Sequence, residues 1–231
     1  MPNRISWDGT GFAIDGQKFF PYSGEMHHFR VHPDLWKDRL LKMKRAFCNC
    51  TGAYFYWGAI EPAPGEFNFE GICDLRRYFD TIAEVGMLAI PRPGGYICAE
   101  VDSGGHPNWL YPRVTQMRDL DPEYISASER YYAAVNDILR DFDIETGARG
   151  KIIFLYQLEN EYFWGNIPYH QKLREILVNQ YGESAPFIVN VNRFARGSDP
   201  AIFDTIDHYP DKWIMQPTKP MVREMLAQQP T

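Results

Sequence analysis

The chain has 231 residues, enough to bury a substantial core as one domain. Its formal net charge is -6 and its basic residues are scattered, so no Lys/Arg cluster tracks a phosphate backbone and nucleic acid is excluded as a partner. No segment is apolar enough to span a bilayer, so no membrane partner is expected.

Met1-Pro2-Asn3-Arg4 lacks the apolar stretch of a signal peptide, so a cytoplasmic protein is expected, or a secreted one if a leader has been removed. Between Ile5 and Phe20, Asp8-Gly9 and Asp15-Gly16 predict short antiparallel hairpins capping one end. Strands and helices then alternate. Phe19 to His27 is a strand, and Asp34 caps a helix with Trp36, Leu40, Met43 and Phe47 inward. Thr51 to Trp57 is the next strand, followed by a long loop through Glu61-Pro62-Ala63-Pro64-Gly65 and a helix from about Cys73 to Gly86. Met87 to Arg92 is a strand. Asp121-Pro122 supplies an N-cap and an N1 proline for a helix reaching Phe142. Lys151 to Gln157 is a strand, and Tyr169, Leu173 and Ile176 mark the helix after it. Phe187 to Val191 and Phe203 to Asp207 complete about six strands in βαβα order, which predicts a parallel sheet with helices outside.

Ile152-Ile153-Phe154-Leu155 reads as a buried strand, and it runs into Tyr156-Gln157-Leu158-Glu159-Asn160-Glu161-Tyr162. Polar side chains at the C-terminal end of such a strand cost folding energy, and in an α/β barrel that end carries the chemistry. Glycoside hydrolysis needs two carboxyl groups across the scissile bond, about 5–5.5 Å apart in retaining enzymes and roughly 6.5–9.5 Å in inverting ones. The candidates at strand ends are Glu25, Glu61, Glu100, Glu159 and Glu161; a loop salt bridge is the alternative for each. Glu159 and Glu161 point to one side if the strand continues, and Glu25, Glu100 and Glu161 are expected to converge at one rim.

Arg92-Pro93-Gly94-Gly95-Tyr96-Ile97-Cys98-Ala99-Glu100 adds glycines that let backbone approach a ligand, an aromatic wall at Tyr96, and an acceptor at Glu100. Aromatics make up 15% of residues, many beside Gly, Pro and Asn, where they suit stacking on sugar faces as well as core packing. Cys48, Cys50, Cys73 and Cys98 complete no zinc pattern and read as free thiols; His27 and His28 would face opposite sides of a strand. No HExxH, GxSxG or phosphate-loop pattern occurs, so neither metal nor cofactor is expected.

Ser23-Gly24-Glu25-Met26-His27-His28-Phe29-Arg30, Trp36-Lys37-Asp38-Arg39-Leu40, Glu61-Pro62 with Pro64-Gly65, the Arg92–Glu100 stretch and Glu159-Asn160-Glu161-Tyr162 together resemble glycoside hydrolase family 35. The resemblance implies a (β/α)8 TIM-barrel fold and a retaining β-galactosidase acting on terminal β-galactosyl residues. It places the general acid/base at Glu161, the residue bonding the sugar 2-hydroxyl at Asn160, galactose contacts at Cys98, Ala99 and Glu100, a family tyrosine at Tyr54, and an aromatic beside the nucleophile at Tyr209. Gly95 stands where the family usually has Pro, Val101 where it often has Trp, and Trp57–Glu61 lacks the usual Asn and His. These departures bear on which sugar is accepted, not on the reaction type. Another β-glycosidase of the same clan and a non-catalytic carbohydrate-binding fragment are the alternatives.

The implied nucleophile is a Glu at the seventh strand. Glu224 is the late candidate, but Met221, Met225 and Leu226 around it read as a helical face, and it lies too close to Pro220 for the family spacing. Residues 1–231 are therefore expected to be a single catalytic domain cut before the seventh strand, with the nucleophile just past Thr231. The expected outcome is negligible turnover of aryl β-galactosides by the 231-residue chain and hydrolysis by a longer form, measured by release of the aryl alcohol; robust Glu161-dependent turnover by the short form contradicts it.

Overall fold

The computed structural model describes residues 4–8, 11–162, 166–191 and 201–206. It opens with an antiparallel meander of β1 (Ile5–Asp8), β2 (Gly11–Ile14) and β3 (Gln17–Phe19). Asp15 and Gly16 join the last two strands at φ 51° and 76°, the paired positive angles that match the twist of a two-residue hairpin. Ile5 packs with Cys50, Phe154 and Ile188, which lie near the starts of the parallel strands, so the meander seals the N-terminal end of the sheet.

Six parallel strands follow in chain order: β4 (Ser23–Glu25), β5 (Cys50–Tyr54), β6 (Leu88–Arg92), β7 (Tyr156–Glu159), β8 (Phe187–Val191) and β9 (Phe203–Ile206). The first three and last three are joined where Ala89 bridges Ile153, with Ala89 N–H donating to Ile152 O at 2.8 Å. Between them run α1 (Trp36–Arg45), α2 (Trp57–Ile60), α3 (Leu75–Glu84), α4 (Pro122–Leu139) and α5 (Ile167–Gln180). This is the βα order expected of a (β/α)8 barrel, with six parallel strands among the described residues. The core is built by Leu40, Phe55, Phe79, Tyr131, Leu173 and their neighbours, where helices meet sheet. Among the described residues no helix is long and apolar enough to cross a membrane.

Local chemistry explains the boundaries. Asp121 accepts from the N–H groups of Glu123 and Tyr124, and Pro122 takes N1, so α4 starts where its sequence predicts. Asp74 caps α3 by accepting from Arg77 N–H, which starts that helix at Leu75 rather than Cys73. Several expectations need correction. Phe19 to His27 is not one strand: Phe19 ends the meander and β4 spans only Ser23–Glu25, so His27 and His28 lie past it in a turn. Asp34 sits in a 3-10 turn and pairs with Arg77 instead of capping α1. Phe47 does not face the core; α1 stops at Arg45, and Phe47 takes φ 68° and is 85% exposed. Trp57, expected in a strand, begins the short helix α2. Lys151 to Gln157 is displaced, because Ile152 and Ile153 both donate to Phe142 O and regular pairing starts only at Tyr156. Phe203 to Asp207 shortens to Phe203–Ile206 among the described residues.

Glu61, a candidate rim acid, is sealed. Its carboxylate accepts from Trp57 Nε1 at 2.6 Å, Gly65 N–H at 2.7 Å and Arg130 Nε at 2.9 Å, and its carbonyl accepts from Trp109 Nε1 at 2.8 Å. It ties the long β5–α3 loop to α4. Removing it strands the buried Trp57 indole N–H, the Gly65 N–H in an exposed turn and an arginine still partly open to water, so Glu61→Ala should cost about 2 kcal/mol. Urea unfolding measures this; a loss under about 1 kcal/mol would contradict the assignment.

Candidate active site

The C-terminal ends of the parallel strands carry a polar layer over the apolar one. Asn160, just past β7 and 2% exposed, lies at its centre. Its Oδ1 accepts from Tyr54 Oη at 3.0 Å, Arg92 Nη2 at 2.9 Å and Gln157 Nε2 at 3.3 Å, while Nδ2 donates to Ile97 O at 3.4 Å. A guanidinium only donates and a carbonyl only accepts, so these partners fix the orientation of the amide. Burial holds the Tyr54 phenol above its ordinary range, keeping it a donor. Arg92 also donates to Glu25 Oε2 at 2.9 Å, and its guanidinium lies 3.8 Å from the centre of the Tyr54 ring. Desolvation raises the Glu25 carboxyl above the usual carboxylate range, opposed by the charge and hydrogen bond of Arg92, although its side chain keeps 35% exposure. Gly52, opposite Glu25 in the register, makes room for it: a Cβ there would lie 2.3 Å from Glu25 Oε2.

A β-bulge makes Glu159 and Glu161 diverge. Gln157 pairs with Ile188 and Glu159 with Val189, leaving Leu158 as the extra residue. Glu159 is fully buried, bound by Arg118 at 3.1 Å and by Tyr169 Oη at 2.8 Å. Glu161 adopts φ 48° and stays half-buried. The two acids therefore do not share a side, as continued strand alternation would have required.

Cys98, Ala99 and Glu100 take φ 57°, 50° and 48°, three successive left-handed non-glycine residues. Such conformations cost on the order of 1–3 kcal/mol each and gather at binding sites. Glu161 and Cys98 both act electrostatically on Tyr54 and Tyr96, and Glu100 acts on His27. The His27 and Tyr54 rings meet edge-on at 5.3 Å, and Ile97 O accepts from Asn160 Nδ2, so the Cys98–Glu100 turn and the Asn160–Glu161 strand end lie side by side at one mouth of the sheet. Beneath it the side chains of Tyr54, Arg92, Tyr96, Gln157 and Asn160 among others pack so closely that no room is left for a water molecule, so they form a closed floor.

The structure thus joins Tyr54 to Asn160 directly and sets the Cys98–Glu100 turn beside the strand end that carries Asn160 and Glu161; Tyr209 and Glu224 lie outside the described residues. Sequence reasoning gave no role to Arg30, Arg92 or Arg118. Arg92 had a signal, a cation between prolines at a strand end; Arg30 and Arg118, in a short turn and mid-loop, had none. Gly95 also gains a reason: a Cβ there would meet Tyr124 Oη at 2.2 Å and His106 Nε2 at 2.9 Å. Among the described residues no group of three or more His, Cys, Asp or Glu could hold a metal ion.

The profile of the glycosyl hydrolases family 35 matches residues 11–231, and the chain belongs to that family. It is 41% identical over 160 residues to the beta-galactosidase of Bos taurus, covering 69% of this chain and 24% of that protein. It is 38% identical over 166 residues to the probable beta-galactosidase A of Aspergillus flavus, covering 71% of this chain and 16% of that protein. The chain thus spans about a quarter or less of the length of these relatives. Its fold is similar to that of the exo-beta-1,4-mannosidase Op5Man5 from Opitutaceae bacterium strain TAV5, with a TM-score of 0.60 at 16% identity over 84% of this chain and 35% of that one. A GH5_18 protein from Streptomyces cattleya in complex with GlcNAc gives 0.55 at 13% identity, over 72% of this chain and 41% of that one.

Two buried histidines brace the mouth. His28 stacks on Tyr78 at 4.6 Å, and burial pushes its pKa down to about 3, helped by neighbouring His27. His106 bonds Ser103 O through Nδ1 at 3.2 Å, so its Nε2 accepts from Tyr124 Oη at 3.1 Å. Burial lowers its pKa to about 4, with Glu159 and the Ser103 carbonyl opposing and Arg118 assisting. Both folded-state values lie below the unfolded one, so the unfolded chain binds more protons and stability falls as pH drops below about 6.5. Each histidine should cost about 2 kcal/mol between pH 7 and 5, and His106→Gln should reduce the loss across that window by about the same amount in urea titrations. A flat profile across this window would contradict the neutral, buried assignment.

Proposed function

We propose that this chain carries the acid/base half of a retaining β-galactosidase site, with a β-galactoside as substrate. Glu161 protonates the departing glycosidic oxygen and then, as a carboxylate, activates the water that completes the reaction. The observation that carries this reading is the joined Asn160–Glu161 pair past β7, its amide oriented by Tyr54 and Arg92. With Oδ1 occupied by donors, Asn160 meets a sugar hydroxyl as a donor through Nδ2. Tyr54, Cys98, Ala99 and Glu100 supply the remaining contacts around the ring, and Tyr209 is assigned beside the nucleophile. The matches to beta-galactosidases from Bos taurus and Aspergillus flavus support the choice of sugar.

Double displacement also needs a carboxylate nucleophile about 5–5.5 Å from the acid/base. Glu25 is bound by Arg92, Glu159 by Arg118 and Tyr169, and Glu61 by Arg130, which suits all three to holding the site together. We therefore assign the nucleophile outside the described residues.

The test uses leaving groups. A dinitrophenolate departs without a proton, whereas an alkoxide does not. In the full-length protein, Glu161→Gln should lower hydrolysis of methyl β-galactoside by about 10²–10⁴-fold and spare glycosyl transfer from dinitrophenyl β-galactoside. Equal loss on both substrates would remove Glu161 from the acid role. A panel of nitrophenyl glycosides reads the sugar, and preference for mannose or glucose would replace galactose.

A further inference from the structure

Both segments that carry the proposed site residues hold L-residues in left-handed backbone, and an arginine serves each of them. Arg30 Nη2 donates to Ala99 O and, at 2.9 Å, to Glu100 O, two successive carbonyls of the Cys98–Glu100 turn. Arg118 Nη2 donates to Asn160 O at 2.6 Å and, more weakly, to Glu161 O at 3.4 Å, the two carbonyls flanking the left-handed Glu161.

Each guanidinium is itself fixed in place. Arg30 lies 5.3 Å from the Phe29 ring centre, and its Nη1 bonds His27 Nδ1 at 2.5 Å. Arg118 lies 4.1 Å from the Tyr96 ring and 5.3 Å from the Tyr162 ring, and the carboxylate of Glu159 takes a further bond at 3.1 Å. Neither arginine belongs to the segment it holds: Arg30 ends the turn after β4, and Arg118 comes from the β6–α4 loop.

We propose that Arg30 and Arg118 are positioning residues, each locking two successive peptide carbonyls so that a left-handed segment presents its side chains to the sugar. Fixing adjacent carbonyls fixes the peptide planes on either side of a residue and hence the direction of its side chain. Arg118 in this way aims the Glu161 carboxyl at the glycosidic oxygen, and Arg30 aims the Cys98–Glu100 turn at the ring hydroxyls. Each arginine makes these bonds through one nitrogen, Nη2, held in place by the ring its guanidinium plane lies against; a lysine ammonium brings the same charge without that plane. The proposal rests on the roles given above to Glu161 and to the Cys98–Glu100 turn.

The two clamps predict a crossed kinetic pattern in the full-length protein. Arg118→Lys should lower kcat on methyl β-galactoside about ten-fold more than on dinitrophenyl β-galactoside, with KM little changed. Arg30→Lys should raise KM about ten-fold for both substrates and leave their kcat ratio unchanged. A role in folding alone lowers the active fraction, which reduces both substrates equally and moves neither KM nor the ratio; that result overturns the proposal. Should Arg118→Lys fail to fold, Arg118→Gln, which keeps an amide donor, tests the same split. Amide hydrogen exchange gives a readout independent of turnover: faster exchange confined to residues 98–101 in Arg30→Lys and to residues 160–162 in Arg118→Lys supports the clamps. Unchanged exchange there overturns them. Glu161→Gln separates the two failures: if it shows no leaving-group dependence, the acid/base role falls, and exchange alone decides the clamps.

Discussion

A single buried amide, that of Asn160, connects three parallel strands and the loop beside them. Its partners are Tyr54 at the end of β5, Arg92 at the end of β6, Gln157 within β7, and the Ile97 carbonyl. An amide left without partners in such a place would cost roughly 2–7 kcal/mol, so the geometry is strongly selected once the strands come together. Arg92 cannot let go of Asn160 without also disturbing Glu25 and the Tyr54 ring. The polar layer therefore behaves as one network, and satisfied networks of this kind favour a single arrangement.

Around this amide the acids divide by what holds them. Glu25, Glu61 and Glu159 are each met by an arginine and serve as anchors between elements. Glu61 fastens a loop, Glu159 fastens Arg118 and Tyr169, and Glu25 orients Arg92 from the neighbouring strand. Glu161 and Glu100 differ in that their backbone, with φ 48° in both, is what the arginines grip. The mouth thus spends charge in two ways, on ion pairs that build the floor and on carbonyl contacts that direct the rim.

Much of the fold was legible because periodicity and caps act locally. Asp121-Pro122 predicted the start of α4, Asp15-Gly16 predicted the hairpin, and Phe187 to Val191 was read to its ends. The failures fall where distant partners decide. Phe47 continued a helical pattern, yet the chain had turned left-handed after Arg45. The fourth parallel strand starts late because Phe142, ten residues upstream of Ile152, captures the amides of Ile152 and Ile153. Glu61 looked like the other strand-end acids until Arg130 and the Trp109 indole, from distant segments, joined the nearby Trp57 in enclosing it. Acids after apolar strands, such as Glu100 and Glu161, are conspicuous in the sequence. The arginines that orient them were not, because Arg30 and Arg118 act on backbone carbonyls, which leave no mark in the sequence.

The bulge at Leu158 makes the point in its sharpest form. Strand periodicity assigns Glu159 and Glu161 to one face, and a regular strand would have delivered two neighbouring carboxylates to the same side. Like charges so placed would have raised each other's pKa and competed for one partner. The extra residue and the left-handed turn separate them instead: Glu159 goes down to Arg118 and Tyr169, while Glu161 stays half-buried. Arg118 takes part in both halves of that separation, neutralising the inner acid while holding the carbonyls on either side of the outer one. Departure from regular strand geometry is therefore what gives two acids, two residues apart, different environments.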